Sequence, residues 1–101
     1  MVNYIIRATF LSPEADSYRR LAVELAKYQI AAAIKGDEGV AYYLPDGEFC
    51  YSGNEPINEV RDAVHRLAHT IHTEVSVVVT EVTTIAWSGL KPVEAELAAG
   101  L

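Results

Sequence analysis

The sequence is sparing with the residues that make chemistry easy to recognise. Cys50 is the only cysteine in 101 residues, so an intramolecular disulfide and a cysteine-based zinc knuckle are both excluded. It falls in a predicted strand, where a lone thiol acts as a small buried hydrophobe. The six glycines form no phosphate-binding loop, no serine or cysteine stands on a nucleophile elbow, and the histidines lack the His-Glu-x-x-His spacing of metalloproteases. No apolar run reaches membrane-spanning length, and no basic segment leads into a long apolar one. The expectation is a cytoplasmic protein with no membrane segment, no cofactor and no catalytic signature.

Positive charge is scarce too. Eight Lys and Arg face 14 Asp and Glu, for a formal net charge of −6. Such a surface repels nucleic acid phosphates and anionic membranes and attracts basic partners. What is abundant is apolar surface: half of the residues are hydrophobic, which fits one domain with one core and leaves some apolar area for contact between subunits.

The clearest periodic segment is Ile57–Ile71. Ile57, Val60, Val64, Leu67, Ala68 and Ile71 recur at steps of three and four, one face of an α-helix. Asn54 or Glu55 can cap its start, with Pro56 in the first turn. Residues 2–11 alternate as a strand, with Val2, Tyr4, Ile6, Ala8 and Phe10 on one side. Ser12-Pro13-Glu14 reads as a helix start, and Gly36 as a cap after Lys35. Within that helix Ile30–Ile34 is apolar nearly all round, so Ile30, Ala33 and Ile34 are the candidate self-association residues. Val40–Leu44 and Glu48–Ser52 are expected to form a hairpin around Pro45-Asp46-Gly47. Val75–Val79 opens a β-rich run that continues to Trp87, long enough to demand a bulge or bend near Glu81, or a break there into two strands. Pro92–Ala99 can form a short helix.

The order strand, helix, strand, strand, helix, strand resembles the ferredoxin-like split βαβ sandwich (βαββαβ). That resemblance in element order implies an α+β domain over residues 1–87, a four-stranded antiparallel sheet with two helices on one face, and a C-terminal tail at 88–101. It carries little about function, because many activities share the fold.

Three constellations bear on function. His65, His69 and His72 fall within a helical sector of roughly 60° and could hold zinc or nickel with a further ligand, although a solvated helix flank is the expectation and no metal site is expected. Phe49 and Tyr51 sit where RNA recognition motifs stack bases, but acidic neighbours and a lone Arg7 argue against nucleic acid. Asp37, Glu38, Asp46, Glu48 and Glu55 lie on predicted loops and turns, from which they can reach a basic protein partner without disturbing the core. The chain is similar in size and charge to small acidic proteins of phages and mobile elements, CRISPR–Cas inhibitors among them. The reading is therefore a non-enzymatic, homodimeric, acidic protein-interaction module. The alternative is a small dimeric ferredoxin-like enzyme or small-ligand-binding protein with a cleft between helices and sheet, in which Tyr18, Arg7 and His65 are the candidate polar groups.

Overall fold

Strict alternation over residues 2–10 makes the first strand the centre of the architecture. In the computed structural model, which describes residues 1–93, the elements in order are β1 (Val2–Phe10), α1 (Ser17–Ala26), β2 (Ala33–Lys35), β3 (Ala41–Tyr43), β4 (Glu48–Gly53), α2 (Ile57–His69) and β5 (Val75–Val82). β1 lies between β4 and β5 and is antiparallel to both. Its even-numbered residues Tyr4, Ile6, Ala8 and Phe10 are buried, as the alternation predicts, and share one core with Leu21 and Leu25 of α1, Phe49 of β4, and Val60, Val64 and Ala68 of α2. Both helices therefore cover the same face of this sheet.

The expected single four-stranded sheet does not form. The chain builds a three-stranded sheet, β4-β1-β5, and a separate two-stranded one, β2-β3. The cause lies at the end of α1, which stops at Ala26 and does not continue to Lys35. The Ile30 N–H bonds the Leu25 carbonyl at 3.1 Å and the Gln29 N–H bonds that of Ala26 at 3.1 Å, with Gln29 in the left-handed region at φ 61°. This is a Schellman closure, in which the residue after the left-handed one packs back onto the helix. That residue is Ile30, buried against Leu25 in the main core. The segment beyond it is extended. Ala31 exchanges two backbone hydrogen bonds with Cys50 of β4, both 2.9 Å, the one bridge linking this segment to the main sheet among the described residues.

Ala33–Lys35 then leaves the main sheet to pair with β3. The other side of β3 takes the tail: Tyr43 N–H bonds the Lys91 carbonyl and Val93 N–H bonds the Ala41 carbonyl, each at 2.9 Å. Ala33, Ala41 and Val93 form a second small core. The Asp-Gly signal thus marks a turn, closed by Glu48 N–H to the Pro45 carbonyl at 3.0 Å, but not the expected hairpin, because β3 and β4 on either side of it join different sheets.

The start of α1 differs as well. Ser12 has φ 54° and lies outside the helix. Ser17 is buried, and its hydroxyl accepts the Glu14 N–H at 2.8 Å. Pro56, expected inside the first turn of α2, is itself the N-cap residue. β5 ends at Val82 and the chain bends at Thr83, close to the expected bend. Pro92 and Val93 are extended beside β3; the rest of the expected Pro92–Ala99 helix lies outside the described residues. Among the described residues no helix is long and apolar enough to cross a membrane.

Candidate binding cleft and acidic loops

The closure at the end of α1 builds one wall of a concavity. A cleft of about 340 Å³ opens between residues 27–30, the first half of α2 and Tyr51 of β4. Ile30, Val60, Ala63 and Leu67 give it an apolar lining, Tyr28 stands exposed at its side, and Lys27, Glu55, Glu59 and Arg66 supply charge of both signs. Apolar walls with a few convergent polar groups make it the candidate ligand cleft of this chain.

Two tyrosines are tied to Glu55: Tyr51, which lines the cleft, and Tyr4, which is buried and does not line it. Tyr4 and Tyr51, neighbours across β1 and β4, lie nearly parallel with ring centroids 6.5 Å apart. The Tyr51 hydroxyl donates to Glu55 Oε2 at 2.6 Å, and the Tyr4 hydroxyl donates to the Glu55 backbone carbonyl at 2.7 Å. The Glu55 carboxylate, as acceptor, raises the Tyr51 phenol above its ordinary value, with burial adding to the effect. Burial, and then the charges of Glu81 and Glu55, raise that of Tyr4. Gly53 makes the arrangement possible: a Cβ there would sit 2.6 Å from the Tyr51 hydroxyl oxygen. Both phenols stay neutral, which suits binding and not proton abstraction.

The five acids expected to meet a partner fall into three places. Asp37 and Glu38 stand on the β2–β3 turn, where Gly36 N–H bonds the Val40 carbonyl at 2.9 Å and Tyr42 donates to Glu38 Oε1 at 3.4 Å. Asp46 lies on the turn before β4, and Glu48 pairs with Arg7 at 3.5 Å on the sheet face away from the helices. Glu55 lies past the other end of β4, a strand of six residues that spans roughly 17 Å at about 3.4 Å per residue. The structure joins Asp46 to Glu48 and Asp37 to Glu38, and puts Glu55 in the cleft.

Of the residues expected to self-associate, Ile30 is in the main core, Ala33 in the second core, and Ile34 is half-buried in a depression lined also by Thr83, Thr84 and Ile85. His65 and His69 stack on α2 with ring centroids 6.0 Å apart, while His72 lies 5.8 Å from Phe10 and accepts the Glu74 N–H. Among the described residues no group of three or more His, Cys, Asp or Glu is placed to hold a metal ion. Arg7, Tyr18 and His65 do not converge: Arg7 faces away from the helices, and the Tyr18 hydroxyl accepts the Phe10 N–H at 3.2 Å.

The sequence reading allowed for a cleft between helices and sheet but did not place Tyr28, Glu59, Ala63 or Arg66 in it. Tyr28, Glu59, Ala63 and Arg66 line it only because α1 ends early. The available signals were the polar Lys27-Tyr28-Gln29 break before the apolar run and the Tyr51–Glu55 spacing across Gly53. No protein-family model matches the chain, and no curated protein matches it.

Proposed function

We propose that this chain is a non-enzymatic acidic interaction module that docks on the basic surface of a nucleic-acid-handling protein, as an inhibitor encoded by a phage or mobile element does to a CRISPR–Cas effector. The observation that carries this reading is the state of the turn acids. Asp37, Glu38 and Asp46 stand on hydrogen-bonded turns, and among the described residues none of them is in an ion pair. Carboxylates on fixed turns lose little freedom when they pair with arginine or lysine. Their attraction would speed association and fade with salt.

The test is affinity capture from host lysate at low and high salt, with the triple variant Asp37→Lys, Glu38→Lys, Asp46→Lys as control. Glu48 is left in place so that the Arg7 pair is kept. The expected result is a basic partner retained at low salt and lost with the variant, whose circular dichroism is unchanged. A partner held equally by the variant refutes this role for the acids.

The cleft favours a second reading, a small-ligand-binding protein. Its ligand would lie on Ile30, Val60, Ala63 and Leu67, with a polar group reaching Glu55 or Arg66. A compound that raises the melting temperature of the native chain but not that of Ala63→Phe, where the cleft is filled, would establish this reading in place of the first.

A further inference from the structure

The two edges of the main sheet are treated differently. The outer edge of β4 is met by Ala31, and beyond that bridge the chain turns away into β2. The outer edge of β5 is bare: among the described residues no backbone group outside β1 bonds to Val75–Val82. The register with β1 runs without a bulge from Asn3↔Val82 to Phe10↔Val75. The segment VSVVVTEV holds no proline and no lysine, the common devices by which edge strands avoid pairing.

The hydrogen-bond phase of this strand follows from one contact. Leu11 N–H bonds the Glu74 carbonyl at 3.0 Å, which fixes the hydrogen-bonded pairs of the ladder as those with even-numbered β5 residues. Val75, Val77, Val79 and Glu81 therefore aim their N–H and C=O groups outward. A two-fold axis through Val78 pairs Val77 with Val79 and Val75 with Glu81 of a second copy. It gives about eight main-chain hydrogen bonds, two per narrow pair, and is the two-fold register that uses all four outward residues. It sets no like charges opposite each other. On the face away from the helices it brings Val78, 60% exposed, against its own counterpart in the second copy.

We infer that the chain self-associates through β5, joining two three-stranded sheets into one six-stranded antiparallel sheet. The occupant is a second copy and not a lone peptide strand, for a reason on the helix side. α2 packs over β5 and leaves an open groove of about 400 Å³ lined by Arg61, Asp62, His65, Arg66 and Val77. A bare strand would pair the edge and leave that groove to solvent. A second copy brings its own α2 to the same face of the joined sheet, with the exposed Arg61–Asp62 ion pair of each copy, 2.9 Å, beside the groove of the other.

The central residue supplies the test. Val78 is exposed, so Val78→Lys and Val78→Glu leave the monomer fold intact, which far-UV circular dichroism verifies. In the dimer each substitution places two like charges directly opposite. Sedimentation at roughly 100 µM, above the micromolar Kd of a modest interface, is expected to give twice 11.1 kDa for the native chain. Each variant alone is expected to run as a monomer, and an equimolar mixture of the two as a heterodimer. A monomeric native chain, a Val78→Lys variant that stays dimeric, or a mixture that stays monomeric overturns the inference.

Discussion

Replacing Gly47 by alanine probes the corner where the chain enters β4. Gly47 has φ +85°, and its carbonyl accepts the Ala8 N–H at 2.8 Å, extending the β1–β4 ladder past Glu48. A Cβ at this position would lie 2.5 Å from the Ala8 carbonyl oxygen and 3.1 Å from Tyr18 Cε1. Holding alanine in the left-handed region costs about 1–2 kcal/mol. The backbone oxygen cannot step aside without loosening the ladder hydrogen bond, worth about 1 kcal/mol. Together these destabilise the fold by about 2–3 kcal/mol, a drop in Tm of roughly 8–24 °C at 4–8 °C per kcal/mol for a domain of this size. Gly39 is the internal control, since its φ is +84° but a Cβ there meets nothing within 4 Å. Gly39→Ala should show only the strain of about 1–2 kcal/mol. Urea and thermal unfolding of both variants, followed by circular dichroism, separate the two contributions. Equal losses in the two variants would refute the steric argument and reduce the corner to a question of dihedral angle.

Three further outcomes are expected. Leu25→Ala, at a fully buried site of α1, should cost about 2–5 kcal/mol, whereas Val23→Ala on the exposed face of the same helix should stay within about 0.5 kcal/mol; similar values in denaturant melts would contradict the assigned helix face. Tyr4 and Tyr51 have raised phenol values in the folded chain, so the stability they add is complete below pH ~10, the unfolded value, and is lost as pH rises through their folded values; ultraviolet titration should show two phenols ionising late, and Tyr51→Phe should remove one of them. Burial raises the Cys50 thiol, whose Sγ donates to the Ala33 carbonyl at 3.0 Å, so its reaction with a disulfide reagent at mildly alkaline pH should be slow until denaturant is added, and prompt reaction in the native state would contradict that environment.

The parts of this fold that were legible in the sequence are those whose neighbours repeat a simple period. The alternation of β1 and the three-four stripe of α2 each record one buried face, and Tyr4, Ile6, Val60, Val64 and Ala68 are buried as that predicts. Ile30–Ile34 was not legible, because a segment buried on two sides shows no period, and alanines favour helix in isolation. Its break depends on Gln29 accepting a left-handed conformation, which glycine would have announced and glutamine conceals. Asp46-Gly47 does make a turn but not the expected hairpin, because the partners of its flanking strands are set at a distance: Phe49 belongs to the main core and Ala41 to the second. The cleft inherits this difficulty, since Tyr28 and Ile30 reach it only through the early closure of α1.

The central place of β1 also sets the order in which the molecule can assemble. Its partners come from far along the chain: Tyr4 waits for Tyr51 on one side and Glu81 on the other. At a synthesis rate of about 5–20 residues per second, β5 follows β1 out of the ribosome by roughly 4–14 s. In that interval helices and local turns can form, but Ile6 and Ala8 have no complete sheet to enter, and such non-local closure is slow. A nascent chain stalled before Val75 would expose the whole β5 side of β1 as an apolar, unpaired edge. Until β5 is made, β1 is open to chaperones or to the β1 of a neighbouring nascent chain.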